Sequence, residues 1–430
     1  MKILMVDKFF FIKGGAERYY FELKKLLEDR GHEVIPFSMQ HPENFETPYE
    51  KDFVDDIEFN GLTTLEKFKH APKIISRVVY SKRAKEAVCR LIEREKPDIA
   101  HLHMIDHQIS PSILHAFRDK KIPVVQTCHQ YKLVCPSYRL FVMHKNRICE
   151  KCIKGHFYHA ILERCHKESL SASMLVAAES YIHRMMKIYD LIDVFHVPSR
   201  FLGQKLIEGG FPQNKIWHSF YTINLEDYPF HPEAEDYFIY YGRLSEEKGV
   251  LTLLKAMQKT PNAKLLIAGD GPHRAALEGF ASANGLKNVT FLGNQHNETL
   301  IPLIQKSRFV VVPSEWYDNS PLVIYESFSM GKPVISSTLG GMPELIEHGK
   351  SGLHFTAGNV DALAASILQL WDNREACQKM GRHARKTAEK EFSPEAHYQK
   401  IINLYEKMLS AKHTERAIMP FEDSSAVVAS

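Results

Sequence analysis

The sequence predicts an α/β fold of two mostly parallel sheets, each covered by helices on both faces. Three observations carry this. The 430 residues exceed what one core usually organises and fit two domains. Short, almost wholly apolar runs alternate with longer stretches of helical periodicity. The ends of several runs pass through glycine- or proline-bearing turns into helix starts.

Residues 2–6 form the first buried strand, and the break at Asp7 makes MKILMV a strand and not a signal peptide. Lys13-Gly14-Gly15-Ala16-Glu17-Arg18 then turns into a helix that ends near Gly31, before a strand at 33–37. This βαβ unit lacks the G-x-G-x-x-G spacing of a dinucleotide site. Adjacent glycines let a backbone approach a ligand closely, so Gly14 and Gly15 are candidate N–H donors to a phosphate, with a plain tight turn as the alternative. Further strands are expected at 98–103, 123–127, 194–199 and 215–219. His101, His103 and His107 gather at one strand end, as a metal site or as polar lining. Cys128-His129-Gln130-Tyr131 directly follows another, where α/β proteins place ligand-contacting residues.

Residues 135–165 read as an irregular insertion with few large apolar side chains. Its cysteines, Cys135, Cys149, Cys152 and Cys165, are spaced C-x13-C-x2-C-x12-C. The central pair has the spacing by which a turn presents two thiolates to one tetrahedral metal. A structural zinc would order the segment, leaving no coordination position open for catalysis. An iron–sulfur cluster or unrelated thiols are the alternatives.

The second half starts after the turn-rich stretch 224–232. A strand at 237–241 leads into GRLSEEKG, whose Arg243 and Lys248 suit phosphate binding, one as a planar fork and the other as a point charge. A strand at 264–268 runs into the turn Gly269-Asp270-Gly271-Pro272, and strands at 289–292 and 308–312 follow. In the stretch 313–346, Ser320 is the expected N-cap with Pro321 at the first helical position. After a strand at 333–337, Gly340-Gly341 and Pro343 open a second helix carrying Glu344. Two helix starts favour an anion such as a diphosphate. Asp318 and Glu326 can accept hydrogen bonds from the hydroxyls of a polyol, or are two ordinary solvated acids. Helices fill 360–390 and about 395–411, and the tail from about 413 reads as disordered.

Composition bounds the partners. Hydrophobic residues at 44% and charged residues at 25% are those of a soluble globular protein, and no apolar run reaches a membrane span. Seven cysteines, an odd number at irregular spacing, argue against a secreted disulfide framework, so the expected compartment is the cytoplasm. The net charge of +3 and pI of 8.3, with no recognisable module, argue against nucleic-acid binding. Residues 1–220 nevertheless hold 34 Lys and Arg against 27 Asp and Glu. Residues 65–96 alone hold ten against four. That segment reads as an ordinary surface helix or as a basic amphipathic helix on the anionic inner face of a membrane.

Taken together, GGAER at 14–18, GRLSEEKG at 242–249, AGDGP at 268–272 and DNSPLVIYE followed by GGMPE resemble the retaining glycosyltransferases of the two-domain GT-B fold, family four. The resemblance implies two Rossmann-like domains, at 1–222 and 223–394, facing a central cleft. It also implies a final helix, 395–412, that crosses back to the first domain. By that resemblance Arg243 and Lys248 bind the donor diphosphate, Glu326 the ribose and Asp318 the donor sugar, where the family commonly has Glu. The donor-binding set also takes in Gly14, Gly15, Gly271, Asn319, Ser320, Leu322, Gly340 and Gly341. His129 matches the histidine beside the reacting carbon, and the catalytic set is His129, Asp318, Arg243 and Lys248. The donor is then a nucleoside diphosphate sugar and the acceptor a glycan or glycolipid hydroxyl. Fixed cations replace a divalent metal at this step, so no catalytic cofactor is expected. With no carboxylate placed as a nucleophile, same-face attack with retention is the expected course. A nucleotide-sugar epimerase or hydrolase on the same fold, or a catalytically silent scaffold, are the competing readings.

Overall fold

The computed structural model describes residues 1–55, 79–107 and 109–411. The chain divides into two compact units. The first holds Met1–Arg139, Glu150–Ser219 and the chain from Tyr398 onward; the second holds Leu140–Cys149 and Phe220–His397.

The strands of the first unit are β1 (Lys2–Val6), β2 (Glu33–Phe37), β3 (Ile99–Leu102) and β4 (Val124–Thr127). After the short hairpin β5 (Phe141–Val142) and β6 (Arg147–Ile148), which groups with the second unit, come β7 (Val194–Val197) and β8 (Ile216–His218). They form one sheet in the order β2-β1-β3-β4-β7-β8, with every pairing parallel. Ile3, Leu4, Met5 and Val6 are all fully buried, as a strand covered on both faces requires. Helices Gly15–Asp29, Lys82–Glu95, Ile113–Asp119 and Arg200–Glu208 lie between strands. Ser81 and Ser199 cap two of them by accepting the backbone N–H three residues on.

Helix Lys82–Glu95 is the described part of the basic segment. It buries Ala84, Val88, Leu91 and Ile92 in the unit's core, while Arg83, Lys85 and Arg94 pair with Asp55, Asp119 and Asp52. It is therefore a surface helix whose apolar face is already used. Residues 65–78 of that segment lie outside the described residues, as does the tail expected from 413.

The last helix, Pro394–Ala411, packs on the first sheet's unit through two tyrosines. The Tyr398 hydroxyl is hydrogen-bonded to His32 Nε2 at 2.9 Å, and the buried Tyr405 hydroxyl to His101 Nδ1 at 2.5 Å.

In the second unit the strands are β9 (Phe238–Tyr241), β10 (Leu265–Ala268), β11 (Val289–Gly293), β12 (Val310–Val312), β13 (Val334–Ser337) and β14 (Gly352–Phe355). Their order, β11-β10-β9-β12-β13-β14, is again all parallel. Phe238 stacks on Phe309 at 4.7 Å in a core closed by helices Val250–Met257 and Val360–Asp372. Strand β14 was not anticipated, because Gly-Leu-His-Phe is only four residues long and follows a glycine-bearing turn. The expected Ser320 cap is displaced by one residue. The helix is Leu322–Ser329 with extended Pro321 before it, and the Ser320 hydroxyl turns instead to the Tyr325 hydroxyl at 2.6 Å. Among the described residues, no helix is long and apolar enough to cross a membrane.

The anchor of the last helix can be weighed directly. Tyr405→Phe keeps the volume but leaves a buried imidazole nitrogen without its partner. Chemical denaturation should then show a loss of about 1–3 kcal/mol. An unchanged midpoint would mean that the bond contributes nothing to stability.

Candidate active site

In the second unit, four loops at the carboxyl ends of β9, β10, β12 and β13 are joined edge to edge. Gly242 N–H donates to the Ala268 carbonyl and Leu244 N–H to that of Asp270, joining the loops after β9 and β10. Glu315 N–H donates to the Glu247 carbonyl at 2.8 Å, joining the loops after β9 and β12. Gly341 N–H donates to the Asp318 carbonyl at 2.9 Å, joining the loops after β12 and β13. Glycines make this closeness possible. A Cβ on Gly340, at φ +64°, would sit 2.3 Å from the Asp318 carbonyl oxygen, and one on Gly269 would sit 1.9 Å from that of Gly242.

On this frame Lys248 and Asp318 meet. The Lys248 ammonium donates to Asp318 Oδ2 at 2.5 Å and lies 5.4 Å from the centre of the Trp316 ring. Asp318 is 8% exposed, and its same oxygen accepts from Ser314 Oγ at 3.1 Å. The two residues assigned separately to diphosphate and sugar are thus paired with each other. Arg243 is exposed, held by its carbonyl, which accepts the Tyr240 hydroxyl at 2.8 Å. Gly271 stands in the loop after β10, and Gly341 is the N-cap of the short helix Met342–Leu345. Asn319, Ser320 and Glu326 are buried, with Leu322 partly so, on or beside helix Leu322–Ser329. Arg243, Lys248, Gly271, Asp318, Gly340 and Gly341 are therefore brought to one end of one sheet. Trp316, Ser314 and the Glu315 carboxylate that accepts from Thr252 were not anticipated. Only the position of Trp316 between strand and helix start hinted at a role.

In the first unit, the carboxyl ends of β1, β3, β4 and β7 carry a buried group of imidazoles. His103 Nδ1 is hydrogen-bonded to His129 Nε2 at 3.0 Å, and His103 stacks between His129 and His101. His101 bonds Thr127 Oγ1 at 2.6 Å, Thr127 bonds His196 Nδ1 at 2.9 Å, and His196 Nε2 bonds the Ser219 carbonyl. Burial pushes His129 down to about 3 and His196 to about 4, with His103 well below its usual range. These imidazoles are neutral near pH 7. Asp7 at the end of β1 is driven well above the carboxylate range by burial and then by Glu17. His196 and Asp7 were missed, although a histidine inside an apolar strand and an acid ending one were both visible. His107 does not join His101 and His103; it lies near Glu179, at 3.7 Å.

Gly14 and Gly15 are exposed at the start of the first helix, but the Gly14 N–H donates to the Glu17 carboxylate. The phosphate expected there would have to displace that acid. The zinc expectation finds no support. Among the described residues, no three His, Cys, Asp or Glu side chains are grouped so as to hold a metal ion. Cys135 Sγ lies beside Ser137 Oγ at 3.3 Å. Cys152 packs with Phe157, Ala160 and Ala177, against Cys165 and Tyr181. Cys149 ends the hairpin, its N–H donating to the Leu140 carbonyl. A small apolar cluster does the ordering that the expectation gave to a metal.

The neutral histidines make stability depend on pH. Their folded pKa values lie below the unfolded value near 6.5, so the unfolded chain binds more protons as pH falls, and stability is lost from about pH 6.5 down to about pH 3. Each such histidine should contribute about 1.4 kcal/mol of loss per pH unit in that window. Denaturation at pH 7 and pH 5 should show a smaller difference in His196→Gln than in the wild type. An equal difference would refute neutral burial of His196.

Two family models match the chain, in consecutive blocks. Residues 13–218 match glycosyltransferase family 4, and residues 225–387 match glycosyl transferases group 1. The N-acetyl-alpha-D-glucosaminyl L-malate synthase of Bacillus anthracis is 24% identical over 402 residues, covering 91% of this chain and 93% of that protein. Among solved structures, sucrose-phosphate synthase from Thermosynechococcus elongatus has a TM-score of 0.69 at 18% identity, covering 96% of this chain and 100% of that one. An Anabaena protein solved with UDP and glucose has a TM-score of 0.61 at 18% identity, covering 94% of this chain and 99% of that one. With two parallel α/β units and both family models in order, the chain belongs to the group 1 glycosyltransferases of family four, on the GT-B fold.

Proposed function

We propose that this chain moves a sugar from a nucleoside diphosphate sugar to an acceptor hydroxyl, with retention at the anomeric carbon, in the synthesis of a glycan or glycolipid. The observation that carries this is the convergence of Arg243, Lys248 and two glycine-opened loops at the carboxyl end of one sheet. Breaking a sugar–diphosphate bond leaves charge on the β-phosphate. An exposed guanidinium and the Lys248 ammonium beside it on the same sheet end suit that charge. Glu326 is the group for the ribose hydroxyls, by its place in the matching motif. The likeness to a protein solved with UDP and glucose makes uridine nucleotides the first donors to test.

Lys248 cannot serve Asp318 and a phosphate equally. We assign its ammonium to the donor phosphate on binding, which leaves Asp318 turned to the sugar hydroxyls. His129, held neutral, can donate or accept one hydrogen bond without adding charge, which suits orienting a hydroxyl and not forming a covalent bond. Asp7 and Glu17 in the same unit are held by backbone N–H groups, which supports same-face attack over a carboxylate nucleophile.

Release of nucleoside diphosphate should depend on an added acceptor; release without one would favour a hydrolase. Arg243→Ala and Lys248→Ala should each lower kcat by roughly a hundredfold, or about 3 kcal/mol, with the unfolding midpoint nearly unchanged in Arg243→Ala and lowered in Lys248→Ala, which unpairs Asp318. Near-normal kinetics in both would remove the donor-phosphate assignment.

A further inference from the structure

Helix Leu170–Met185 buries polar side chains and exposes apolar ones. Its inward face buries Ser173, Glu179 and His183 beside Val176 and Ala177. Each is matched: Ser173 Oγ accepts His166 N–H, Glu179 pairs with buried Lys132 at 2.8 Å, and His183 Nε2 bonds the Val79 carbonyl. Its outward face carries Leu170, Met174, Ala178, Ile182 and Met185, and of the helix's exposed positions only Arg184 is charged. Of the ten large apolar side chains exposed among the described residues, seven fall between residues 158 and 186. Met185 is 82% exposed and Leu162, on the neighbouring short helix, 69%. A surface helix with water on that face would place polar residues there. A contiguous apolar patch of this kind marks an interaction site.

Charge identifies the occupant. Lys154, Arg164, Lys167, Arg184 and Lys187 are exposed in the same stretch, against exposed Glu168 and Asp190. A second copy docking by two-fold symmetry would bring two such cationic patches together, which repels. An anionic bilayer meets both features, with acyl chains for the leucine, isoleucine and methionines and headgroup phosphates for the flanking cations. We propose that the face formed by helix Leu170–Met185 and the short helix Tyr158–Leu162 docks the first unit on an anionic membrane surface. This does not rest on the donor assignment. It does bear on the acceptor, because Lys132, which Glu179 holds, stands three residues beyond His129. A lipid-borne hydroxyl would then be delivered beside the histidine group.

The test is co-sedimentation of the full chain with vesicles of equal parts phosphatidylglycerol and phosphatidylcholine, against phosphatidylcholine alone. The wild type should partition to the anionic vesicles and be weakened by salt. Met174→Ser/Ile182→Ser/Met185→Ser, on exposed positions, should lower partition at least roughly tenfold without changing the thermal midpoint. Independently of that variant's folding, the added indole of Met185→Trp should shift its emission to the blue with anionic vesicles and be quenched by brominated acyl chains. No binding by the wild type, unchanged binding by the triple variant, or an indole emission in Met185→Trp indifferent to lipid would each overturn the proposal. So would a dimer in light scattering that the triple variant dissolves, since the patch would then be covered by a second copy.

Discussion

The ion pair between Lys248 and Asp318 is the interaction on which the second unit's site depends. A carboxylate that is 8% exposed is stabilised by a cation and a hydroxyl at close range. Ser314 and Asp318 share the loop after β12, whereas Lys248 comes from the loop after β9. The pair therefore stitches neighbouring strands at their carboxyl ends. Removing Asp318 would do more than delete one ligand contact. It would leave the ammonium over Trp316 without its counter-charge and loosen the loop that carries Asn319 and Ser320.

The first unit solves the opposite problem. Its histidine group is packed by stacking and by a chain of hydrogen bonds from Tyr405 through His101, Thr127 and His196 to the Ser219 carbonyl. Neutrality here is a product of burial and not of composition. Because the last helix contributes Tyr405, a residue late in the chain helps to set the environment of one at position 129. Such long-range assembly is what local sequence reasoning handles worst.

Much of both sheets was legible in the sequence because parallel strands buried on two faces are short, dense apolar runs, and 33–37 was bounded to the residue. The loop residues at 243, 248, 318 and 340 were legible because glycine and charge stand out beside such runs. What escaped were features set by partners distant in sequence. Ser320 looked like a cap until Tyr325 took its hydroxyl, and the four cysteines looked like ligands until Phe157, Ala177 and Tyr181 supplied a cluster for two of them. The basic run ending at 96 read as an ordinary surface helix or a lipid-facing one, because periodicity reports that a helix is two-sided and not which side faces the core. Helix Leu170–Met185 turns Glu179, His183 and Ser173 inward, where partners distant in sequence or backbone groups match each of them.

The loops around Lys248 are joined to one another by main-chain hydrogen bonds at Gly242, Leu244, Glu315 and Gly341. Main-chain bonds are indifferent to the side chains that hang from them. Over evolutionary time, residues facing a ligand from these loops can be exchanged one at a time while the loops hold their courses. A new sugar or base can then be accommodated without refolding the site. The positions that cannot drift are glycines such as Gly249, Gly269, Gly271 and Gly340, where any side chain would strike a neighbouring carbonyl oxygen. Divergence of substrate within such a scaffold is therefore expected to run ahead of divergence in the glycines that shape it.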